Sequence, residues 1–237
     1  MVAVLILGAL ITLPAAWSGA TSDEEPVLSA RADASNDVRA EEAVDDTEVL
    51  PATEVAPTEV FARFDRLDLR LPGEEVLLVG YHEASFSDAL EIAPFGDAIA
   101  NDNRTKFMPE SETAAGPEYV ILSSRGRPTP ATSAVDVVME DDVEVLAPIS
   151  GRVREVRPYL LYGQHQDTRI EIVPDARPDL ALVMIHVRDV TVRPGDVVEA
   201  GVTAIAGSAN RFPFGSQIDR FFDPDRWPHV HIEVKRR

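Results

Sequence analysis

Short runs of β-branched and apolar residues recur along the second half of the chain, with glycine and proline between them. The runs occupy residues 118–123, 134–139, 143–147, 152–157, 168–173, 181–187, 189–193, 197–199, 202–206 and 229–235. Turn signals separate them, at Ser150-Gly151, Pro194-Gly195 and Gly201. Many closely spaced strands without a strong helical period predict an all-β domain over residues 118–237, either a sandwich or a barrel.

The first half divides into three parts. Residues 2–17 form an apolar run that ends in Ser18-Gly19-Ala20, which predicts a signal peptide or N-terminal anchor over residues 1–20. Residues 21–60 hold twelve acids, two bases and no sustained period, which is typical of a disordered acidic linker. In the mixed segment 61–117 only residues 75–81 read as a buried strand, so we expect an accessory region that packs on the core.

Charge and composition narrow the class of partner. The formal net charge is −19 and the chain has no cysteine. Phosphate contacts need clustered basic side chains, so nucleic acid is not an expected partner. Disulfides and thiolate metal sites are excluded. The N-terminal segment predicts an extracytoplasmic protein, either secreted or associated with the cell envelope, that contacts a membrane only if this segment is retained.

Candidate chemistry centres on the segment Pro228-His229-Val230-His231-Ile232-Glu233-Val234. Side chains alternate across a strand, so His229, His231 and Glu233 share one face, and two imidazoles can enter one cleft. Two surface histidines on a polar face are the simpler interpretation.

Two upstream residues also have two interpretations. Asp136, between two valines, is either a metal ligand or a buried carboxylate paired with Arg125, Arg127 or His231. His186 follows an apolar run and is either a core histidine or part of the same cleft.

The order of these segments resembles that of the lysostaphin-type, or LytM-like, zinc endopeptidases. The matching segments are Ala134-Val135-Asp136, Ala147-Pro148-Ile149-Ser150-Gly151-Arg152-Val153, Ile185-His186-Val187, Gly195-Asp196-Val197-Val198-Glu199-Ala200-Gly201 and His229-Val230-His231-Ile232-Glu233. The resemblance implies a two-sheet β-sandwich of the barrel-sandwich hybrid type, with a duplicated motif. It implies zinc as cofactor and peptidoglycan peptides as substrate. Asp136 and His231 match metal ligands, and His186 and His229 match catalytic histidines.

One ligand of that family is missing. Its first histidine aligns with Thr132, and a neutral hydroxyl is a poor zinc ligand. With only Asp136 and His231, tight zinc binding is not expected. Either His82, otherwise an ordinary histidine at a strand end, enters the site, or hydrolysis has been abandoned. We therefore predict a catalytically impaired domain that binds peptidoglycan peptide or another envelope protein, such as a wall hydrolase. The alternative is an active zinc endopeptidase.

Two further features bear on function. Residues 208–227 form an insertion rich in aromatic residues, which can line a cleft, plug it or pack as a local core. The turns around Pro148 and Pro194 also resemble lipoyl or biotinyl carrier domains. Those domains need a lysine at a hairpin tip, and no lysine lies between Lys106 and Lys235, so a carrier role is excluded.

Overall fold

The computed structural model describes residues 55–100, 117–221 and 227–237. The predicted signal peptide or anchor, and most of the predicted acidic linker, lie outside these ranges. Within them, every regular element is a strand except one short 3₁₀ helix at Ile218–Phe221. The prediction of an all-β fold is confirmed. No helix in the described ranges is long and apolar enough to span a membrane.

Fourteen strands are described. They are β1 (Val60–Phe64), β2 (Leu67–Arg70), β3 (Val76–His82), β4 (Ala93–Pro94), β5 (Asp97–Ala98), β6 (Glu118–Ile121), β7 (Ala134–Met139), β8 (Val145–Leu146), β9 (Gly151–Leu161), β10 (His165–Pro174), β11 (Leu180–Val190), β12 (Val197–Val198), β13 (Ala204–Ala209) and β14 (His229–Arg236).

Most strands join one large sheet in the order β12-β9-β10-β11-β14-β7-β3-β6-β5, and β13 pairs with β11 and β8. The pairs of β6 with β3 and β5 are parallel, and the other pairs in this order are antiparallel. The sheet stays open, since its end strands β12 and β5 do not pair in the described part of the chain. Its middle strands β14, β7 and β3 carry the polar residues considered below.

A small sheet of order β2-β1-β4 forms the second layer. Phe61 and Leu69 of this sheet are buried in one cluster with residues such as Val79, Val135 and Ile232 of the large sheet. The hydroxyl of buried Tyr81 donates to the carbonyl of Phe61 at 2.9 Å, which ties the two layers together. One face of the large sheet is thereby occupied by core, so polar side chains at alternate positions must lie on the other face.

Strand β3 comes from the segment expected to be accessory, yet it pairs with β7 along nearly its whole length. The runs 181–187 and 189–193 were predicted as separate strands, whereas β11 continues through Leu180–Val190. The prediction of two strands was wrong, because an irregularity within one strand has the same sequence pattern as a break between two strands.

Candidate metal centre and catalytic pocket

Strand β14 places its residues as the alternation predicts. Val230, Ile232 and Val234 are buried in the main core, while His229, His231 and Glu233 line a pocket on the opposite face. Asp136 is the direct partner of His231 in the β14–β7 ladder and of Gly80 in the β7–β3 ladder. The carboxylate therefore lies between side chains from two neighbouring strands.

His82, Asp136 and His231 form a compact cluster. Oδ1 of Asp136 lies 2.8 Å from Nδ1 of His231 and 3.2 Å from Nε2 of His82. The side chains of His82, Asp136 and His231 are 5%, 7% and 13% exposed. One candidate ligand atom from each residue can be chosen so that all three lie within 4.8 Å of one another. Three ligands from two histidines and a carboxylate, with room for a fourth position, are the usual set for catalytic zinc.

The hydrogen bonding of His82 supports a cation at this cluster. Its Nδ1 lies 2.9 Å from the carbonyl oxygen of Glu83, which can only accept, so Nδ1 carries a proton. The lone pair of Nε2 then faces the Asp136 carboxylate. Nε2 is buried, lies 3.2 Å from Oδ1 of Asp136 and has no hydrogen-bond partner among the described residues. A metal ion held by His82 and Asp136 would satisfy both acceptors, so the residues fit zinc.

The motif places Thr132 at the position of the missing ligand. This residue precedes β7, its carbonyl accepts a hydrogen bond from the backbone of Ile92, and it is not among the described residues that line the pocket. His82 stands beside Asp136 instead. Of the two alternatives that Thr132 leaves open, the position of His82 favours the one in which His82 enters the site. Asp136 also forms no ion pair with Arg125 or Arg127 in the described chain, so its partners are the two histidines.

Charge coupling within the cluster is strong. Burial alone would raise the pKa of Asp136, but His82 and the hydrogen bond from His231 outweigh burial and hold this pKa well below its usual range. Burial lowers the pKa of His231, whereas hydrogen bonds to Asp136 and Glu233 outweigh that effect and raise it to about 9. Nε2 of His231 lies 3.1 Å from Oε1 of Glu233. If Nδ1 of His231 held a metal, its Nε2–H would donate to Glu233, an arrangement that would orient the ligating imidazole.

His186 reaches the same pocket through a distortion of β11. The β10 ladder pairs Thr168 with Val187 but Ile170 with Met184, so β11 holds one extra residue. Met184 and Val187 face the core, while Ile185 and His186 both line the pocket. His186 has φ of 68°, an uncommon conformation for a residue other than glycine. Bulges of this kind re-aim side chains next to functional sites.

Asp167 holds His186 in place. Its side chain is fully buried, with Oδ2 2.8 Å from Nδ1 of His186 and Oδ1 2.9 Å from the backbone nitrogen of the same residue. Asp167 also accepts from the hydroxyl of Tyr159 and the amide of Asn210. Burial raises the pKa of Asp167, but the hydrogen bond from His186 and the other donors outweigh it and lower this pKa. Burial is the largest influence on His186 and lowers its pKa.

His186 lies close to both histidines of β14. The ring centroids of His186 and His229 are 5.2 Å apart, and those of His186 and His231 are 5.8 Å apart. Asn210 links the two strands that carry them. Its backbone nitrogen donates to the carbonyl of His186 at 2.8 Å, and its carbonyl accepts from the backbone of His229 at 3.4 Å.

The insertion 208–227 supplies one wall of the pocket. The rings of Phe212 and Phe214 stack at 5.2 Å, and Phe212 meets His186 edge-on at 4.9 Å. Ile218 packs instead into a separate buried cluster with Leu78 and Val138. Of the three uses expected for this segment, the described part combines two, a cleft wall and a local core.

Asp136, His186, His229 and His231, the four residues singled out from the sequence, thus all line one pocket. His165 lies against Phe214, with ring centroids 5.1 Å apart, and is not in the metal cluster. Sequence reasoning missed Asp167 and Asn210. Neither has a local signal, because an acid after a polar turn and an asparagine after a strand are ordinary surface patterns.

Comparisons with known proteins add little to this geometry. No protein-family model matches the chain, and no curated protein matches it. Among solved structures, the crystal structure of a zinc-containing peptidase from Vibrio cholerae matches with 22% sequence identity and a TM-score of 0.30. The match covers 47% of this chain and only 31% of that chain. A TM-score this low carries no inference, so the metal site rests on the side-chain geometry alone.

Proposed function

We propose that this protein is a zinc-dependent peptidase with a complete three-ligand site, in which His82 takes the role that the sequence motif leaves open at Thr132. The observation that carries the proposal is the buried Nε2 of His82, which faces Asp136 without a hydrogen bond. In a cluster without a metal, a buried acceptor that lacks a hydrogen bond would lower the stability of the fold by about 1–3 kcal/mol. In a metal site it is the ligand atom.

The reaction follows from the groups around the cluster. Zinc held by His82, Asp136 and His231 would polarise a peptide carbonyl and lower the pKa of a water molecule. His186 donates its Nδ1 proton to Asp167, which leaves Nε2 as the nitrogen that takes a proton from the attacking water. The lowered pKa of His186 keeps the ring neutral at neutral pH, as a base requires. His229 then stabilises the oxygen of the attacked carbonyl, the role that its motif position implies.

The substrate assignment is part of the same proposal. The motif order from Asp136 to His231 resembles that of peptidases that cut peptidoglycan peptides, and the apolar N-terminal segment is typical of exported proteins. We therefore place the activity in the cell envelope, on wall peptides. The catalytically impaired domain predicted from Thr132 becomes the competing outcome of the test.

The test uses the full chain with and without zinc. Purified protein is treated with a chelator, reloaded with one equivalent of zinc and incubated with purified peptidoglycan, and newly released amino groups are counted by mass spectrometry. We expect cleavage by the zinc-loaded protein, and its loss in the chelated protein and in the variant His82→Ala. The matched control is His165→Ala, which removes a histidine outside the cluster. Stoichiometric zinc without cleavage would favour a binding role, and absence of zinc would overturn the proposal.

A further inference from the structure

The pocket above the metal cluster is rich in positive charge, although the whole chain carries a net charge of −19. Among the described residues, four arginines and two carboxylates line it: Arg125, Arg127, Arg157, Arg169, Asp136 and Glu233. Both carboxylates are already bound to His231. A bound zinc ion adds further positive charge. A positively charged cleft attracts negatively charged ligands even when the whole protein has a net negative charge.

Two of the four arginines have carboxylate partners within the protein. Arg169 pairs with Glu155 and Glu171, and its side chain is only 14% exposed. Arg157 lies 3.7 Å from Glu155. Neither Arg125 nor Arg127 forms an ion pair with a carboxylate in the ranges that the structure describes, and both line the pocket beside the metal cluster.

The guanidinium of Arg125 is the closer of the two to the metal cluster. Its Nη2 lies 3.2 Å from Nδ1 of His82. That nitrogen already donates its proton to the carbonyl of Glu83, so it offers Arg125 no lone pair. A guanidinium donates and never accepts, so Arg125, which is exposed and lines the pocket, keeps hydrogen-bond donors that a bound ligand can use.

The loop that carries Arg125 is fixed in place. The carboxylate of Glu83 accepts the backbone N–H groups of Arg125 and Arg127, each at 2.9 Å, and the hydroxyl of Ser124. Nη1 of Arg127 donates to the backbone carbonyl of Glu83 at 2.7 Å. Because Glu83 directly follows His82, the same residue orients a metal ligand and the arginine loop. The arginines are thus held in register with the metal cluster before any ligand arrives.

We propose that Arg125, supported by the adjacent charge of Arg127, binds a carboxylate of the substrate beside the scissile bond. The substrate is then a peptide with a free carboxylate next to the bond that is cut. This inference rests on the proposed function and specifies its substrate. A guanidinium binds a carboxylate through two parallel hydrogen bonds, which also fixes the direction in which the peptide enters. A C-terminal carboxylate and an acidic side chain share this chemistry.

Binding of three matched probes tests the proposal. They are the acetylated tripeptide alanine–glutamate–alanine with an amidated C-terminus, alanine–glutamine–alanine with an amidated C-terminus, and alanine–glutamine–alanine with a free C-terminus. Each is titrated into the zinc-loaded full chain, and the ¹⁵N-labelled arginine side-chain signals report the dissociation constant. We expect at least one carboxylate probe to bind roughly ten- to hundredfold more tightly than the neutral probe, the usual gain from a hydrogen bond to a charged group.

Variants assign the effect to Arg125. Arg125→Gln should reduce the preference for a carboxylate to the part that direct binding to zinc contributes, Arg125→Lys should keep more of it, and the control Arg152→Gln, outside the pocket lining, should keep all of it. A carboxylate can also bind zinc directly, and that contribution survives in Arg125→Gln. Equal binding of all three probes by the unmodified chain, or an unchanged preference in Arg125→Gln, would overturn the proposal. Zinc content and peptidoglycan cleavage are measured separately, so failure here is distinct from failure of the proposed function.

Discussion

Replacing His82 with alanine tests whether His82 is a zinc ligand, the assignment on which the proposed metal site depends. Strand β3 and the pairing of Gly80 with Asp136 do not involve the imidazole, so the sheet should persist. The variant loses one of three protein ligands. Structural zinc sites with four ligands bind with about 10–16 kcal/mol, or about 3 kcal/mol for each ligand. We therefore expect His82→Ala to weaken zinc binding by about two orders of magnitude.

Competition with a chromophoric chelator of known affinity measures this change, and elemental analysis of the dialysed protein gives the zinc content. The control is His165→Ala, which removes an imidazole that packs against Phe214 and leaves the three candidate ligands intact. We expect this control to retain one zinc per chain. Circular dichroism and thermal melting of the metal-free proteins establish that both variants are folded.

The variant Thr132→His distinguishes the ligand set that the structure suggests from the ligand set that the motif alignment implies. The alignment predicts a gain in zinc affinity, because it treats this position as the missing ligand. The structure predicts no gain, because His82 already completes the set and Thr132 does not line the pocket among the described residues. If His82→Ala binds zinc as tightly as the unmodified chain, or if Thr132→His strengthens binding tenfold or more, the assignment of His82 is refuted.

Four other predictions concern residues of the site. Asp167→Asn should lower kcat by about 10²-fold or more, because an amide has no negative charge with which to orient His186 and stabilise its protonated ring. The zinc content should stay at one per chain. Proton and metal compete for His231, whose pKa is raised to about 9, so zinc affinity measured by chelator competition should rise about tenfold per pH unit up to about pH 9 and then level off. In the metal-free chain, the stability that the protonated ring contributes is full below pH 6.5 and lost as pH rises through 9, which urea unfolding can follow. Phe212→Ala should cost about 3 kcal/mol of unfolding free energy and also lower activity, because the ring packs against His186.

Local pattern predicted part of this site well. The alternation along β14 placed His229 and His231 on one face from the sequence alone, because the side-chain period of a strand is two. It could not show which residues of other strands face them. The pairing of His231 with Asp136 is a property of the sheet register, and register depends on packing between residues that are distant in the chain.

Strand alternation alone does not predict the positions of two residues, His186 and Asp167, for different reasons. His186 lies on the pocket face only because β11 contains an extra residue, and strict alternation from Met184 would have turned it into the core. Asp167 matters because it is buried beneath His186, Tyr159 and Asn210, three residues that meet only in the folded chain. The alternation of residues along a strand predicts neither the bulge in β11 nor the contacts of Asp167.

The geometry of a sheet explains why the third ligand could come from another strand. Four residues of extended chain, the separation of residue 132 from Asp136, span about 13 Å, so a residue at 132 contacts the same ion only if the chain bends before β7. His82 pairs with Ala134, two residues from Asp136 on the neighbouring strand, and is therefore a diagonal neighbour at about 7–8 Å on the same face. A metal site constrains the positions of ligand atoms and not the strand that supplies them. An imidazole on β3 can thus fill the place that a motif assigns to the chain before β7.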